Sequence, residues 1–292
     1  MEQRKRSNPM DIRSLPRYMT VAAVVAAAVT SLTACTNSGT DSAEPSLQSS
    51  SSKAGEPSAV MNGLESSTSD MALITDDSMI PAGQATTWRF RIDDSGGGAV
   101  TEYEAEQGQL MHLYFIRDDS TRFAHLHPIM AGDGTWSAPI SGLVPGRYRV
   151  YAQFRALSGK TSETQVLSQL VTVPGEGTPE RLPHAMPSTS VDGYTLTVAG
   201  KLTPGQSGEL TVDIAGGDEQ GSDVQRYEGA YVHVTAIHAQ TLAFADLTPL
   251  DSDQRGPEFD VPAKLSKSGD WRLFIEFQTG GQLHTAAITI AL

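Results

Sequence analysis

Three histidines stand close together in this chain, His112, His125 and His127. Imidazole both titrates near neutrality and ligates transition ions, so their mutual placement is the first question the sequence raises. All three fall in the segment Met111 to Pro128, MHLYFIRDDSTRFAHLHP. Asp118-Asp119-Ser120-Thr121 separates two strand-like runs there, and the segment reads as a β-hairpin. A two-residue loop at Asp119-Ser120 sets His112 opposite His127 and Tyr114 opposite His125. His125 and His127, two apart on one strand, share a face, so the three rings converge. The other face carries Met111, Leu113, Phe115, Ala124 and Leu126, an apolar set that fixes the register by burial.

Three neutral imidazoles can bind a first-row ion, with copper favoured over zinc on affinity. Met130 could add a thioether, which would suit Cu(I), and one position could stay open for water or a partner's ligand. The competing reading is an exposed polar face, its histidines bonded to carbonyls or water or stacked on Tyr114.

The hairpin recurs without a gap as Val232 to Pro249, VHVTAIHAQTLAFADLTP. His112, Ile116, Phe123, Ala124, Leu126 and Pro128 are identical to His233, Ile237, Phe244, Ala245, Leu247 and Pro249. Where the first copy has its histidines, the second has His233, Asp246 and Thr248, a set not expected to hold an ion, with His238 turned to the other face. His184 and His284 lie outside the repeat and receive no role.

Two further blocks repeat in the same order. Gly83-Gln84 with Trp88, Phe90 and Ile92 matches Gly205-Gln206 with Leu210, Val212 and Ile214; Pro145 to Phe154 matches Ser268 to Phe277. Period-two alternation broken by Gly, Pro, Asp and Ser indicates short antiparallel strands. The expected fold is all-β: two tandem Ig-like β-sandwiches, residues 71–174 and 188–292, joined by a proline-punctuated linker at 175–187. Trp136, Tyr148, Phe154, Trp271 and Phe277 read as core, and Ser95-Gly96-Gly97-Gly98 as a turn.

Ahead of the sandwiches, basic residues from Arg4 to Arg17 precede the apolar run Val21 to Val29 and then Leu32-Thr33-Ala34-Cys35, the layout of a secretory signal over residues 1–34. Cys35 is the single cysteine, so an exported chain has no internal disulfide to offer it. Residues 35–70, rich in Ser, Thr, Gly and Pro, read as a disordered tether. Beyond the signal, 16 Lys+Arg face 32 Asp+Glu, a balance that disfavours nucleic acid and anionic headgroups.

Leu32-Thr33-Ala34-Cys35 resembles the lipobox of bacterial lipoproteins. That resemblance implies a lipid on Cys35 and an extracytoplasmic protein held on the outer face of a cytoplasmic membrane. Phe123-x-His125-x-His127-Pro128, followed by Gly146-x-Tyr148-Arg149, is similar to a hairpin and strand in a group of actinobacterial secreted proteins and lipoproteins, which brings no activity with it. The layout also looks, more loosely, like extracytoplasmic β-sandwich copper carriers.

Two functions follow as expectations: copper binding or handling through His112, His125 and His127, or a metal-free tandem module for an envelope protein partner. No Gly-x-Ser-x-Gly elbow or His-Glu-x-x-His motif is present, so no enzymatic activity is expected.

Overall fold

The computed structural model describes residues 62–157, 163–216, 224–249 and 254–292. The signal, Cys35 and the tether as far as residue 61 lie outside them. The first repeat contains β1 (Met71–Ile74), β2 (Thr86–Asp94), β3 (Tyr103–Glu104), β4 (Met111–Arg117), β5 (Phe123–Leu126), β6 (Ile129–Met130), β7 (Trp136–Ile140), β8 (Gly146–Ala156) and β9 (Gln165–Val173). The second contains β10 (Ser188–Val191), β11 (Tyr194–Ala199), β12 (Gly208–Gly216), β13 (Val224–Gln225), β14 (Val232–His238), β15 (Phe244–Asp246), β16 (Glu258–Ala263), β17 (Asp270–Thr279) and β18 (Gln282–Ala291).

Each repeat folds into two antiparallel sheets. In the first, β1-β2-β7-β6 faces a sheet in which β8 pairs with β9 and β4 along its length and with β3 near its end, and β5 closes the β4 edge. In the second, β10-β11-β12-β16 faces the sheet of β15, β14, β17 and β18, with β13 on β17. This strand order is that of an Ig-like sandwich, as the sequence predicts. The alternating residues of β2, Trp88, Phe90 and Ile92, are buried in the first core, and Leu210, Val212 and Ile214 of β12 in the second. Trp136, Tyr148, Phe154, Trp271 and Phe277 are core residues, as expected. The Tyr148 hydroxyl donates to the Val144 carbonyl four residues upstream (3.0 Å), the tyrosine corner of such folds. In the second sandwich Trp271 Nε1 donates to Lys267 O (3.0 Å) from the matching place.

The hairpin has the expected register: Leu113 faces Leu126, Tyr114 faces His125 and Ile116 faces Phe123. The turn bonds Ser120 N to Arg117 O (2.8 Å) with Ser120 at φ 58°. Met111, Leu113 and Phe115 enter the core, with Ala124 and Leu126 packed against it.

The opposite face is not open to solvent, which corrects the exposure expected in the competing reading, but two of its contacts are present: His112 Nε2 lies 3.1 Å from the Glu106 carbonyl and His125 stacks on Tyr114 with centroids 4.4 Å apart. Every residue of β4 and of β14 is buried, because the hairpin-bearing sheets of the two sandwiches pack on each other. A separate apolar cluster unites Tyr114, Ile116 and Tyr151 with Ile237, Phe244 and Phe274. Phe123 stacks on Phe274 (centroids 4.5 Å apart) and the Tyr151 hydroxyl donates to Leu242 O.

Two boundaries differ from expectation or gain detail. Residues 62–70, expected in the tether, belong to the folded body. Phe244 N donates to Asn62 O (2.9 Å), Arg149 Nη1 to Leu64 O (2.9 Å), Ser168 N to Glu65 O (2.8 Å) and Leu73 N to Ser66 O (2.9 Å). The segment is therefore a strap touching both sandwiches, held by backbone groups that composition does not disclose. The linker 175–187 contains no strand, and it is pinned where Glu180 pairs with Arg117 (3.0 Å) and Arg122.

Candidate metal centre

Strand parity places His112 on β4 and His125 on β5 on the face turned toward the second sandwich. His127 follows β5 directly, and the structure brings all three together, as the sequence predicts. His112 Nδ1 lies 3.0 Å from His125 Nε2, and His127 Nε2 lies 3.2 Å from the same atom. A fourth member, outside the histidine hairpin, comes from the second repeat. Glu228, from the turn before β14, sets Oε2 2.8 Å from His127 Nε2. One donor atom from each of the four residues lies within 4.8 Å of every other. A tetrahedral ion with bonds of about 2.0–2.1 Å separates its donors by roughly 3.3 Å, near the 3.0 and 3.2 Å between the ring nitrogens of His125 and its two neighbours.

The outer bonds of His112 and His125 set which ring nitrogen faces inward as an acceptor. His112 Nε2 lies 3.1 Å from the Glu106 carbonyl, which can only accept, so the proton is on Nε2 and Nδ1 carries a lone pair. His125 Nδ1 lies 2.7 Å from Glu276 Oε2, and when that carboxylate is ionised it takes the Nδ1 proton in a hydrogen bond and leaves Nε2 with a lone pair. With Glu276 ionised, two lone pairs meet at 3.0 Å, beside a third ring nitrogen and a carboxylate oxygen. Glu228 Oε2 is buried, and its near neighbour is His127 Nε2 at 2.8 Å. A cation at the centre would satisfy all four groups at once. Protons do not take its place readily at the two inner rings. Burial, reinforced by the charge of His125, lowers His112 to about 4; burial, with the charges of His127 and His233, lowers His125 to about 3.

The carboxylates around the centre differ in character. Burial raises Glu276 to about 7. Burial also pushes Glu228 upward, but its contact with His127 and the nearby charges of His125 and His112 outweigh that and hold it below its usual value. Gln109 Nε2 donates to the other Glu228 oxygen (3.0 Å). Glu228 sits at φ 48° ahead of Gly229 at φ 83°, and Gln107 and Gly108 repeat this turn at 51° and 81° in the first copy. The side chains of His112 and His125 are nearly inaccessible, whereas 19% of His127 is exposed, so the centre communicates with solvent along the His127 and Glu228 edge.

Other expectations fare differently. Met130 does not join the group: β6 lies in the opposite sheet and its side chain packs against the first core. Glu228 would offer a fourth donor where the sequence leaves one position open. His233 and Asp246 border the centre without joining its four donors, the His233 ring lying 6.3 Å from that of His125. His233 Nε2 donates to Tyr227 O (2.7 Å), and Asp246 accepts from Gln153 Nε2 (2.8 Å). His238 does turn away, bonding Thr241 Oγ1 (2.9 Å) and Ser268 O (3.1 Å) beside Trp271. His284 is held by Asp192 (2.9 Å) and Thr279 (2.9 Å).

Fold and site together define a tandem β-sandwich protein with a histidine and carboxylate centre between its two halves. The chain belongs to the family described as Domain of unknown function (DUF8832), matched twice, over residues 66–171 and 189–292. Comparison with curated proteins gives no match. Among solved structures the chain is similar to fibronectin(III)-like modules of Clostridium thermocellum CbhA, with 10% identity and a TM-score of 0.20 over 75% of this chain and 93% of that one. It is also similar to a two-domain fibronectin type-III segment of chicken tenascin, with 13% identity and a TM-score of 0.21 over 75% and 96%. A Salmonella alpha-2-macroglobulin matches at 14% identity and a TM-score of 0.24, over 76% of this chain and 14% of that one. TM-scores this low say nothing of function.

Proposed function

We propose that this chain binds one divalent first-row transition ion through His112 Nδ1, His125 Nε2, His127 Nε2 and Glu228 Oε2, as an extracytoplasmic lipoprotein anchored at Cys35. The observation that carries the reading is the convergence of three ring nitrogens and a carboxylate oxygen within 4.8 Å of one another, with outer bonds on His112 and His125 that turn their inner nitrogens toward the group. Three nitrogens and one carboxylate oxygen suit Cu(II) or Zn(II) better than Cu(I), which favours sulfur donors. The copper expected from the sequence is therefore proposed as Cu(II). Four protein donors close the coordination shell, which points to binding, storage or delivery of the ion rather than to catalysis at it.

Titration of the full chain with Cu(II) and Zn(II) is expected to give one tight site, weakened at least about a hundredfold in His125→Ala, since that ring contributes a donor atom and its removal frees buried space. Binding no tighter than about micromolar for either ion would refute the reading and leave the metal-free envelope module, which the fold also suits. The anchor rests on Leu32-Thr33-Ala34-Cys35. Mass analysis of the mature N-terminus tests it separately, and an unmodified Cys35 would remove it.

A further inference from the structure

We infer that the bound ion clamps the two sandwiches together, so that loading and release of the metal set how firmly the hairpin faces are held. This rests on the metal reading above and adds a consequence to it. The donors are divided between the halves: three imidazoles belong to the first sandwich and the Glu228 carboxylate to the second. Glu276, which orients His125, also belongs to the second. No rearrangement within either half completes the site; it exists only while β4 and β5 face β14 and β17.

The seam itself supplies the reason why the ion matters. Its apolar part is one cluster of six buried side chains, three from each half. Beside it, three carboxylates of the second sandwich meet neutral or weakly basic groups of the first: Glu228 faces His127 and Gln109, Glu276 faces His125, and Asp246 faces Gln153. Glu276 is buried and Glu228 stands at the partly exposed edge of the seam, and a divalent ion among the imidazoles would balance the negative charge gathered there. Stripped of the ion, the same groups gain by hydration, which requires the faces to part. Glu228 is placed to transmit this. It stands on a tight turn whose Gly229 packs 3.5 Å, at an added Cβ, from Gln107 of the matching turn in the first sandwich, so ligand and seam move as one piece.

Hydrogen exchange on the full chain in detergent, loaded with Zn(II) or stripped by a chelator, tests the clamp. Stripping is expected to speed exchange about tenfold or more at residues 106–109, at 227–230 and along β5 and β15, while β2 and β12 in the distant sheets stay unchanged. Glu228→Gln keeps three imidazoles, so it is expected to bind Zn(II) more weakly and, when loaded, to show exchange between the two wild-type states. Stoichiometric Zn(II) binding with identical exchange at the seam in loaded and stripped protein would overturn the clamp and leave the metal reading standing. The clamp is likewise overturned if loaded Glu228→Gln protects the seam as well as wild type does. Absence of Zn(II) binding would overturn both.

Discussion

A ring nitrogen that donates outward commits its partner to accept, and this rule gives the centre its chemistry. Glu276 acts through that rule: in its ionised form it holds the proton on His125 Nδ1 and so points the lone pair of Nε2 inward. Glu276→Gln keeps the shape and loses the charge. It is expected to weaken metal binding about 10–100-fold with one site retained; an affinity within about twofold of wild type would show that Glu276 only fills space. The histidines were legible in the sequence because strand parity alone puts them on one face. The carboxylates were not, since they lie about a hundred or more residues away and reach the site only through docking of the halves. A trace of them was nevertheless present. Glu276 faces His233 in β17 as Gln153 faces His112 in β8, so the repeat changes an amide to an acid beside each histidine position.

At the scale of elements, the turn of the histidine hairpin is fastened from two sides. Buried Arg117 holds Asp119 through Nε to Oδ1 (3.0 Å) and Nη2 to Oδ2 (2.6 Å), and the Glu180 amide of the linker donates to Asp119 Oδ2 (2.9 Å). Burial pushes the Asp119 carboxyl up, but Arg117, the Thr121 hydroxyl and the Glu180 and Thr121 amides outweigh it and bring it down to about 2. A carboxylate lowered in the folded state contributes stability that is complete above its unfolded value near 4 and disappears as pH falls toward 2. Asp119→Asn is expected to cost about 1–2 kcal/mol at neutral pH and almost nothing near about pH 2, as read by chemical denaturation across that range. A cost independent of pH would assign the effect to geometry. The hairpin register was legible because one apolar face admits only one parity. The strap at 62–65 was hidden because its hold on the fold is made by carbonyl oxygens, which every residue possesses.

For the whole molecule, the strap is where both sandwiches can be perturbed by one atom. Gly63 has φ +59°, and a Cβ there would lie 2.8 Å from Val166 Cγ1, 3.2 Å from Tyr151 Cδ1 and 3.3 Å from Phe244 Cβ. Gly63→Ala is expected to cost about 1–3 kcal/mol in unfolding experiments, from backbone strain and overpacking together; unchanged stability would mean that the strap is readily displaced. The sandwiches it spans meet through matching surfaces, with His125 on Glu276 at one place and Asp246 on Gln153 at the corresponding other. Two separate identical chains meeting this way would repeat every substitution on both sides of their axis, making such a site twice or not at all. Joining the copies in one polypeptide lifts that constraint. One half is free to accumulate bases and the other acids, and a contact that symmetry would have kept uniform becomes polarised.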